Sequence, residues 1–356
     1  MTSIGIIGAG MIANIHAESA ARIGTNVLTV FDSRLERANE FAQKHVCEVE
    51  ESFDAMLRRD DLDGVVIAVP NDKHAQFAID ALQAGKHVLL EKPMAMSLAQ
   101  CDAIVEARNQ SSKVLQMGFV CRFAPAAMKA KEIIESGTLG DIHHVQATLL
   151  RQRGIPGLGG WFTTKEKSGG GCLIDIGVHL IDLVMYLTSK QNPVRVQGKC
   201  TQAFSIASYA YEEMWSTPVE DGTFDVEDRV RAMVTDKSET TFQFDVAWAT
   251  HLPEHAMNDG LLIEGTDGSL VVDLWSDEIL CGYSQNGTPK TKRVPVAVTE
   301  AWDDAFDGEH RAFAAATTNG VLDSCAGTGE DGRLVQQIVE AIYASDDQHK
   351  EITLAE

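Results

Sequence analysis

The chain has little that would tie it to nucleic acid or to an anionic lipid surface. Its 30 Lys and Arg stand against 52 Asp and Glu, a formal charge of −22. A chain that acidic repels phosphate backbones and acidic headgroups. Cysteine supplies no framework either. The seven, at positions 47, 101, 121, 172, 200, 281 and 325, are odd in number and contain no CxxC pair. That speaks against a disulfide scaffold or a structural zinc site and for a reducing, cytoplasmic setting. The opening MTSIGIIGAG lacks the basic and apolar regions of a signal peptide. No uninterrupted apolar run approaches the length needed to span a bilayer, and no internal repeat or low-complexity segment is present. What remains is a soluble globular composition, 44% hydrophobic and 23% charged, in 356 residues. That length is too great for one ordinary core and predicts two domains.

The first third carries the plainest pattern. "SIGIIGAGMIANIHAESAA" reads as a short apolar strand, a glycine turn and a helix, with Gly8, Gly10 and Ala13 matching G-x-G-x-x-G/A. A second apolar strand, "NVLTVFD", ends in Asp32 about 20 residues further on, the spacing of a dinucleotide-binding fingerprint. Gly8 permits the tight turn, Gly10 lets a pyrophosphate approach the helix N-terminus, and Ala13 keeps helix and strand close. Asp32 would accept hydrogen bonds from ribose hydroxyls and repel a 2′-phosphate, which favours NAD. Arg34 could instead face that phosphate, which leaves NADP open.

The alternation continues. "DGVVIAVP" (63–70) and "KHVLLEKP" (86–93) are continuous apolar runs, as expected of strands buried on both faces, with helices around 73–84 and 97–110 and a further strand at 113–119. Pro70 and Pro93 end their strands at the carboxyl edge, where ligands gather in doubly wound sheets. "EKP" therefore places Lys92 at the lip of a crevice, either as a solvated charge or as an ammonium that meets a substrate hydroxyl. Asn71 and His74, in "PNDKH", are expected to line the cofactor.

From about residue 120 the pattern turns to alternation. In "TFQFDVAWA" Phe242, Phe244, Val246 and Trp248 share one face, the mark of a half-buried antiparallel strand. Similar strands are expected at 142–150, 194–204, 229–235, 261–264 and 269–274, and helices at about 309–319 and 331–344. Between them lies "SGGGCLIDIGVHLID" (168–182), in which Asp175, His179 and Asp182 fall at i, i+4 and i+7, one face of a helix behind three glycines. Cys172, Asp175, His179 and Asp182 could be imagined as metal ligands, but one histidine without HExxH or CxxC makes a poor donor set. A polar stripe on an otherwise apolar helix more often faces a cleft than bulk water. In the loop before it, Arg151, Arg153, Trp161 and Thr163 are candidates for sugar contact, and His251 and His255 are weaker ones.

Taken together, the glycine motif at 8–13, "VPNDKHAQFAIDALQAGKHVLLEKP" at 69–93, "SGGGCLIDIGVHLID" at 168–182 and "GTGEDGRLVQQIVEAIYAS" at 327–345 resemble the glucose–fructose oxidoreductase / inositol dehydrogenase / MocA family of NAD(P)-dependent dehydrogenases. The resemblance implies an α/β fold. A Rossmann dinucleotide-binding domain (1–120) would be followed by an α+β domain (121–356) with a large open, mostly antiparallel sheet, often packed against another subunit as a homodimer or homotetramer. It implies NAD as cofactor, with NADP open, and a catalytic set of Lys92, Asp175 and His179 beside the nicotinamide. Gly8, Gly10, Met11, Ile12, Asp32, Ser33, Arg34, Pro70, Asn71, His74, Glu91 and Lys92 are then expected to hold the cofactor. Arg122, Arg151, Arg153, Trp161, Asp175 and His179 are expected to hold substrate, and no metal is expected.

The chemistry implied is hydride transfer at a secondary hydroxyl, or the reverse at a ketone, of a sugar, glycoside or cyclic polyol. His179 would be the acid/base, Lys92 would favour the alkoxide, and Asp175 would bind a neighbouring hydroxyl or orient the imidazole. Asp182 is read as structural. Alternatives are an inositol dehydrogenase, a glycoside hydrolase or lyase that recycles bound NAD, and a non-catalytic NAD-binding regulator.

Overall fold

The computed structural model describes residues 2–204, 211–212, 218–219, 221–253 and 259–354; His255 lies outside them. The chain folds into two compact units, Met1–Phe123 with Asp303–Gln336, and Ala124–Trp302 with Gln337–Glu356. Composition gives no sign of that return, so where the sequence suggests one continuous second domain from 121, the segment from Asp303 to Gln336 belongs to the first unit.

The first unit is built on six parallel strands, β1 (Ser3–Ile7), β2 (Asn26–Phe31), β3 (Glu48–Val49), β4 (Gly64–Ile67), β5 (His87–Glu91) and β6 (Leu115–Gly118), in the order β3-β2-β1-β4-β5-β6. That is the doubly wound dinucleotide order, with its switch point between β1 and β4. β4, β5 and β6 are buried at every residue, which is why they read as unbroken apolar runs. Helix Met11–Ile23 follows β1 and buries Ala13, Ala17 and Ala20 against it. Phe313, from helix Ala301–Asn319, enters the same core, and Met117 N–H donates to the Gly327 carbonyl at 2.8 Å. The returning segment is therefore part of this unit's interior.

The second unit holds β7 (Ile142–Leu150), β8 (Ile155–Pro156), β9 (Pro193–Thr201), β10 (Tyr211–Glu212), β11 (Arg229–Asp236), β12 (Thr241–Ala247), β13 (Asp259–Gly265), β14 (Gly268–Val272), β15 (Glu278–Gln285), β16 (Thr288–Pro295) and β17 (Ile352–Thr353). Nine of these form one sheet, β16-β15-β14-β13-β7-β12-β11-β9-β17, antiparallel except where β12 runs beside β7; β8 and β10 pair separately. Its inner face buries Val145, Val230, Phe242, Phe244, Ile263 and Leu270 beneath helices Pro125–Glu135 and Val178–Thr188. The β15–β16 hairpin is absent from the expected strands because β16, "TPKTKRVP", is exposed almost throughout and shows no alternation. Its lysines and terminal prolines suit an outer strand that must not recruit another. Helix Pro125–Glu135 was likewise not expected.

Among the described residues one helical stretch, Lys165–Thr188, has the length and composition to cross a membrane, but charged residues interrupt it and most of it is buried inside the protein as a core helix. None of the seven cysteines forms a disulfide.

Candidate active site

In the first unit the glycine turn divides its tasks sharply. Gly8 lies at φ +98°, and a Cβ there would meet the Ala68 carbonyl oxygen at 2.2 Å. Only glycine fits both the angle and the approach. Gly10 is the opposite case. A Cβ on it would meet nothing within 4 Å, and no side chain caps the helix that starts at Met11. Its first N–H groups and the space over Gly10 are thus open to an anion. Asp32 sits at the end of β2. Its Oδ2 accepts the Ala9 N–H at 2.9 Å and its Oδ1 the Arg34 N–H at 2.8 Å, so it pins the turn and keeps further lone pairs for ribose hydroxyls. Met11 and Ile12 are half-buried, Ser33, Arg34 and Pro70 exposed, and Asn71 buried. This arrangement suits a dinucleotide.

Two residues expected to touch that cofactor are used otherwise. The buried His74 ring bridges the Pro93 carbonyl (Nδ1, 2.7 Å) and the Val69 carbonyl (Nε2, 2.9 Å), stapling the loop after β4 to the one after β5. Glu91 is buried as well. Its Oε1 lies 2.9 Å from His16 Nε2, and its Oε2 accepts the Lys92 backbone N–H at 3.0 Å. His16 Nδ1 continues to His310 Nε2 at 2.9 Å, and burial beside His16 pushes the His310 imidazole well down, toward its neutral form. Glu91 and His16 therefore set the backbone of Lys92, whose side chain is half-buried. The sequence signal for His16, a polar residue on the buried face of an alanine-rich helix shared with Ser19, was there to be read. Arg122 is a second correction. Only 3% exposed, it pairs with Asp331 at 3.2 Å and donates to the Ala326 carbonyl, so it holds the returning segment and is not presented to substrate.

In the second unit the glycines of "SGGG" are tightly held. Gly170 and Gly171 are buried; a Cβ on Gly170 would fall 2.0 Å from the Tyr343 hydroxyl, and one on Gly171 1.8 Å from the Glu227 carbonyl oxygen. Glu227 closes the turn. Its Oε1 accepts the N–H of Gly171 (2.9 Å) and of Leu173 (3.1 Å) and the Tyr343 hydroxyl (2.9 Å), and its carbonyl accepts the Cys172 N–H at 3.1 Å. Burial pushes this carboxyl up, while the bonds it accepts hold it down.

Leu173–Gly177 then runs as a π-turn before the α-helix Val178–Thr188. Each π residue advances by less than the about 100° of an α-helix. The four steps from Asp175 to His179 thus come nearer to one full turn, and Asp182 falls off the line. Burial agrees. From Cys172 to Met185 every residue is buried except Asp175 and His179, and Asp182 is 1% exposed. The expected three-residue stripe is a pair. The Asp175 carboxylate takes the Trp248 indole N–H on Oδ2 at 2.8 Å.

The loop candidates separate in the same way. Thr163 is buried, donating to the Thr223 carbonyl at 2.7 Å and accepting the Gly159 N–H, so it is structural. Trp161 stacks on Phe162 at 3.8 Å between ring centroids. Arg153 and His251 are exposed, and Arg151 is half-buried beside Asp259. Burial and the neighbouring Asp273 push the Asp259 carboxyl up to about 6, with Arg151 opposing.

Residues 2–119 match the oxidoreductase family model described as an NAD-binding Rossmann fold, and residues 127–271 match the GFO/IDH/MocA C-terminal domain. The D-glucoside 3-dehydrogenase of Escherichia coli K12 is 39% identical over 187 residues, 52% of this chain and 53% of that protein; the chain thus matches about half the length of that relative. The 1,5-anhydro-D-fructose reductase of Ensifer adhaerens is 30% identical over 278 residues, 76% of this chain and 75% of that one. Among solved structures, a levoglucosan dehydrogenase in complex with NADH and levoglucosan superimposes with a TM-score of 0.87 at 24% identity, over 100% of both chains. A two-domain oxidoreductase built on an NAD-binding Rossmann fold is the class these features define. The chain belongs to the GFO/IDH/MocA family.

Three glycine substitutions should separate structure from binding. Gly8→Ala and Gly171→Ala should each lower stability by roughly 1–3 kcal/mol or more, read as a fall in Tm. Gly10→Ala should cost less than about 1 kcal/mol yet weaken NAD binding roughly tenfold, a loss of about 1.4 kcal/mol, because its methyl fills space a pyrophosphate would use. Asp259→Asn tests the raised carboxyl. A carboxyl that binds its proton more tightly when folded makes the protein lose stability as pH rises from about 4 to about 6. The Asn variant escapes that loss. It should be more stable than the parent by about 1–2 kcal/mol at pH 8 and equal to it near pH 3.5, as followed by thermal melts across pH.

Proposed function

We propose that this protein is an NAD-dependent dehydrogenase that oxidises a secondary ring hydroxyl of a glucoside or related sugar, or reduces the corresponding ketone. The observation that carries the reading is the pair Asp175 and His179, the only residues left unburied along Cys172–Met185. The names of the matched relatives, a D-glucoside 3-dehydrogenase and a 1,5-anhydro-D-fructose reductase, support the substrate class.

When bound, the nicotinamide supplies the acceptor or donor of hydride. His179 takes the proton of the reacting hydroxyl at its imidazole and returns it in the reverse direction, the general acid/base role imidazoles commonly serve. Lys92, its backbone fixed through Glu91, donates from Nζ to the same oxygen and favours the alkoxide as charge develops. Asp175 accepts from a neighbouring hydroxyl and sets the ring's orientation. Arg151, Arg153 and Trp161 contact the rest of the sugar. Asp32 selects NAD by occupying the place of a 2′-phosphate.

We assign the outer face of the nine-stranded sheet, where Met233 and Val271 are exposed, to contact with a second copy, in a reducing cytoplasmic compartment. Sedimentation should show a dimer or tetramer in the parent protein and a smaller species in Met233→Lys/Val271→Lys.

The test of the reaction is the absorbance of reduced nicotinamide with NAD or NADP and a panel of glycosides, free sugars and inositols. Turnover is expected with NAD and a glycoside or sugar. It should fall on the order of 10²–10⁴-fold in His179→Ala and on the order of 10²-fold in Lys92→Ala, with melting temperatures unchanged. Turnover that survives in His179→Ala refutes the assignment of the base.

A further inference from the structure

We propose that Trp248 is a positioning residue, whose indole N–H fixes the Asp175 carboxylate in the orientation the reaction uses. The proposal rests on the place given to Asp175 above.

Trp248 follows the last residue of β12 and is 0% exposed. A buried indole must find an acceptor for its one N–H, and a backbone carbonyl would serve at little cost. Here the acceptor is Oδ2 of Asp175, at 2.8 Å, on the turn that leaves only Asp175 and His179 unburied. A charged acceptor makes the stronger bond and has two oxygens, so committing one of them fixes the plane of the other.

Both ends of the bond are clamped by two consecutive residues. Glu227 holds the turn that bears Asp175, through Gly171, Cys172 and Leu173. Asp228 holds the strand end that bears Trp248, its carbonyl accepting the Trp248 backbone N–H at 2.9 Å. The backbone of Trp248 is approached closely as well: a Cβ on Gly154 would sit 3.2 Å from the Trp248 carbonyl oxygen. A core tryptophan that served only to fill space would not need the carboxylate; the backbone bond to Asp228 continues the β11–β12 ladder and keeps the residue in register. Expressed chemically, the site has a dedicated N–H donor for its carboxylate, built from the second unit alone.

Two measurements test this. In protein labelled with ¹⁵N-tryptophan, the Trp248 indole N–H is one of five such resonances, identified by its loss in Trp248→Phe. It should move upfield in Asp175→Ala; if it stays in place, the bond does not exist in solution and the proposal is overturned without any substrate. The second is a double-mutant cycle on turnover of the sugar that reduces NAD. Trp248→Phe should lower kcat on the order of 10–100-fold with KM and NAD affinity little changed, and that loss should vanish when Asp175 is already alanine. An equal loss in both backgrounds would mark Trp248 as merely structural and overturn the proposal while leaving Asp175 in its role. If Asp175→Ala itself leaves turnover intact, the reading of Asp175 falls, and the positioning role falls with it. Melting temperatures of the single and double variants, with the indole shift in the Asp175→Ala protein, keep the result readable if Trp248→Phe folds poorly.

Discussion

One buried carboxylate holds together the turn from which the candidate catalytic helix departs. Glu227 accepts two backbone N–H groups and a tyrosine hydroxyl on a single oxygen, and a third backbone N–H reaches its carbonyl. A helix start leaves several N–H groups without partners inside the helix, and a buried start must find them elsewhere. Here they find them in a residue some fifty positions later in the chain. Everything unusual in "SGGG" follows. The approach of Tyr343 and of the Glu227 backbone leaves no room for a Cβ at 170 or 171, so glycine stands there because the packing is close. Three glycines in a row read as slack; in this fold Gly169 ends a short helix at φ +84° and the other two make the tightest contacts in the turn.

The first unit applies the same logic to its own loops. The chain after β4 and after β5 is set by side chains that neither project into solvent nor wait for a ligand: His74 bridging two carbonyls, and Glu91 joined to His16 while it holds the Lys92 peptide. Buried polar groups are tolerated where each has partners. These contacts fix the backbone at Lys92 and the loops after β4 and β5. Asp32 does both jobs in one side chain, anchoring the glycine turn by its backbone while facing the expected ribose.

How much of this was legible in the sequence depends on the range over which each feature acts. Five of the six parallel strands and the glycine turn were plain, because burial on both faces leaves apolar runs and because Gly8 answers to a local angle; the two-residue β3, exposed and half-buried, was not. β7 falls where the alternation of apolar residues puts it. β16 shows nothing, since an exposed outer strand has no buried face to write into its pattern. The π-turn was invisible: one extra residue per turn does not alter the order of polar and apolar residues, only their azimuth, and with it whether Asp182 stands beside His179 or is buried in the core. Arg122, His74 and Glu91 are polar residues beside motifs, and nothing local distinguishes one that faces a cofactor from one paired with a carbonyl or with Asp331. Glu227, Tyr343 and Trp248 act across 50 to 170 residues of chain, a distance at which a single sequence carries no pairing signal.

The return of the chain to its first unit governs the order in which the protein can be made. Phe313 belongs to the core that also holds Ile4, Val66 and Leu89, Gly64 approaches its ring so closely that a Cβ would stand 3.1 Å away, and Gly327 closes on Met117. During synthesis from the N-terminus, the six parallel strands emerge long before these partners exist. The nine-stranded sheet of the second unit is translated almost whole while the first still lacks part of its interior. The nucleotide fold, first to be written, is among the last to be finished, and any truncation before residue 303 leaves it open along one side.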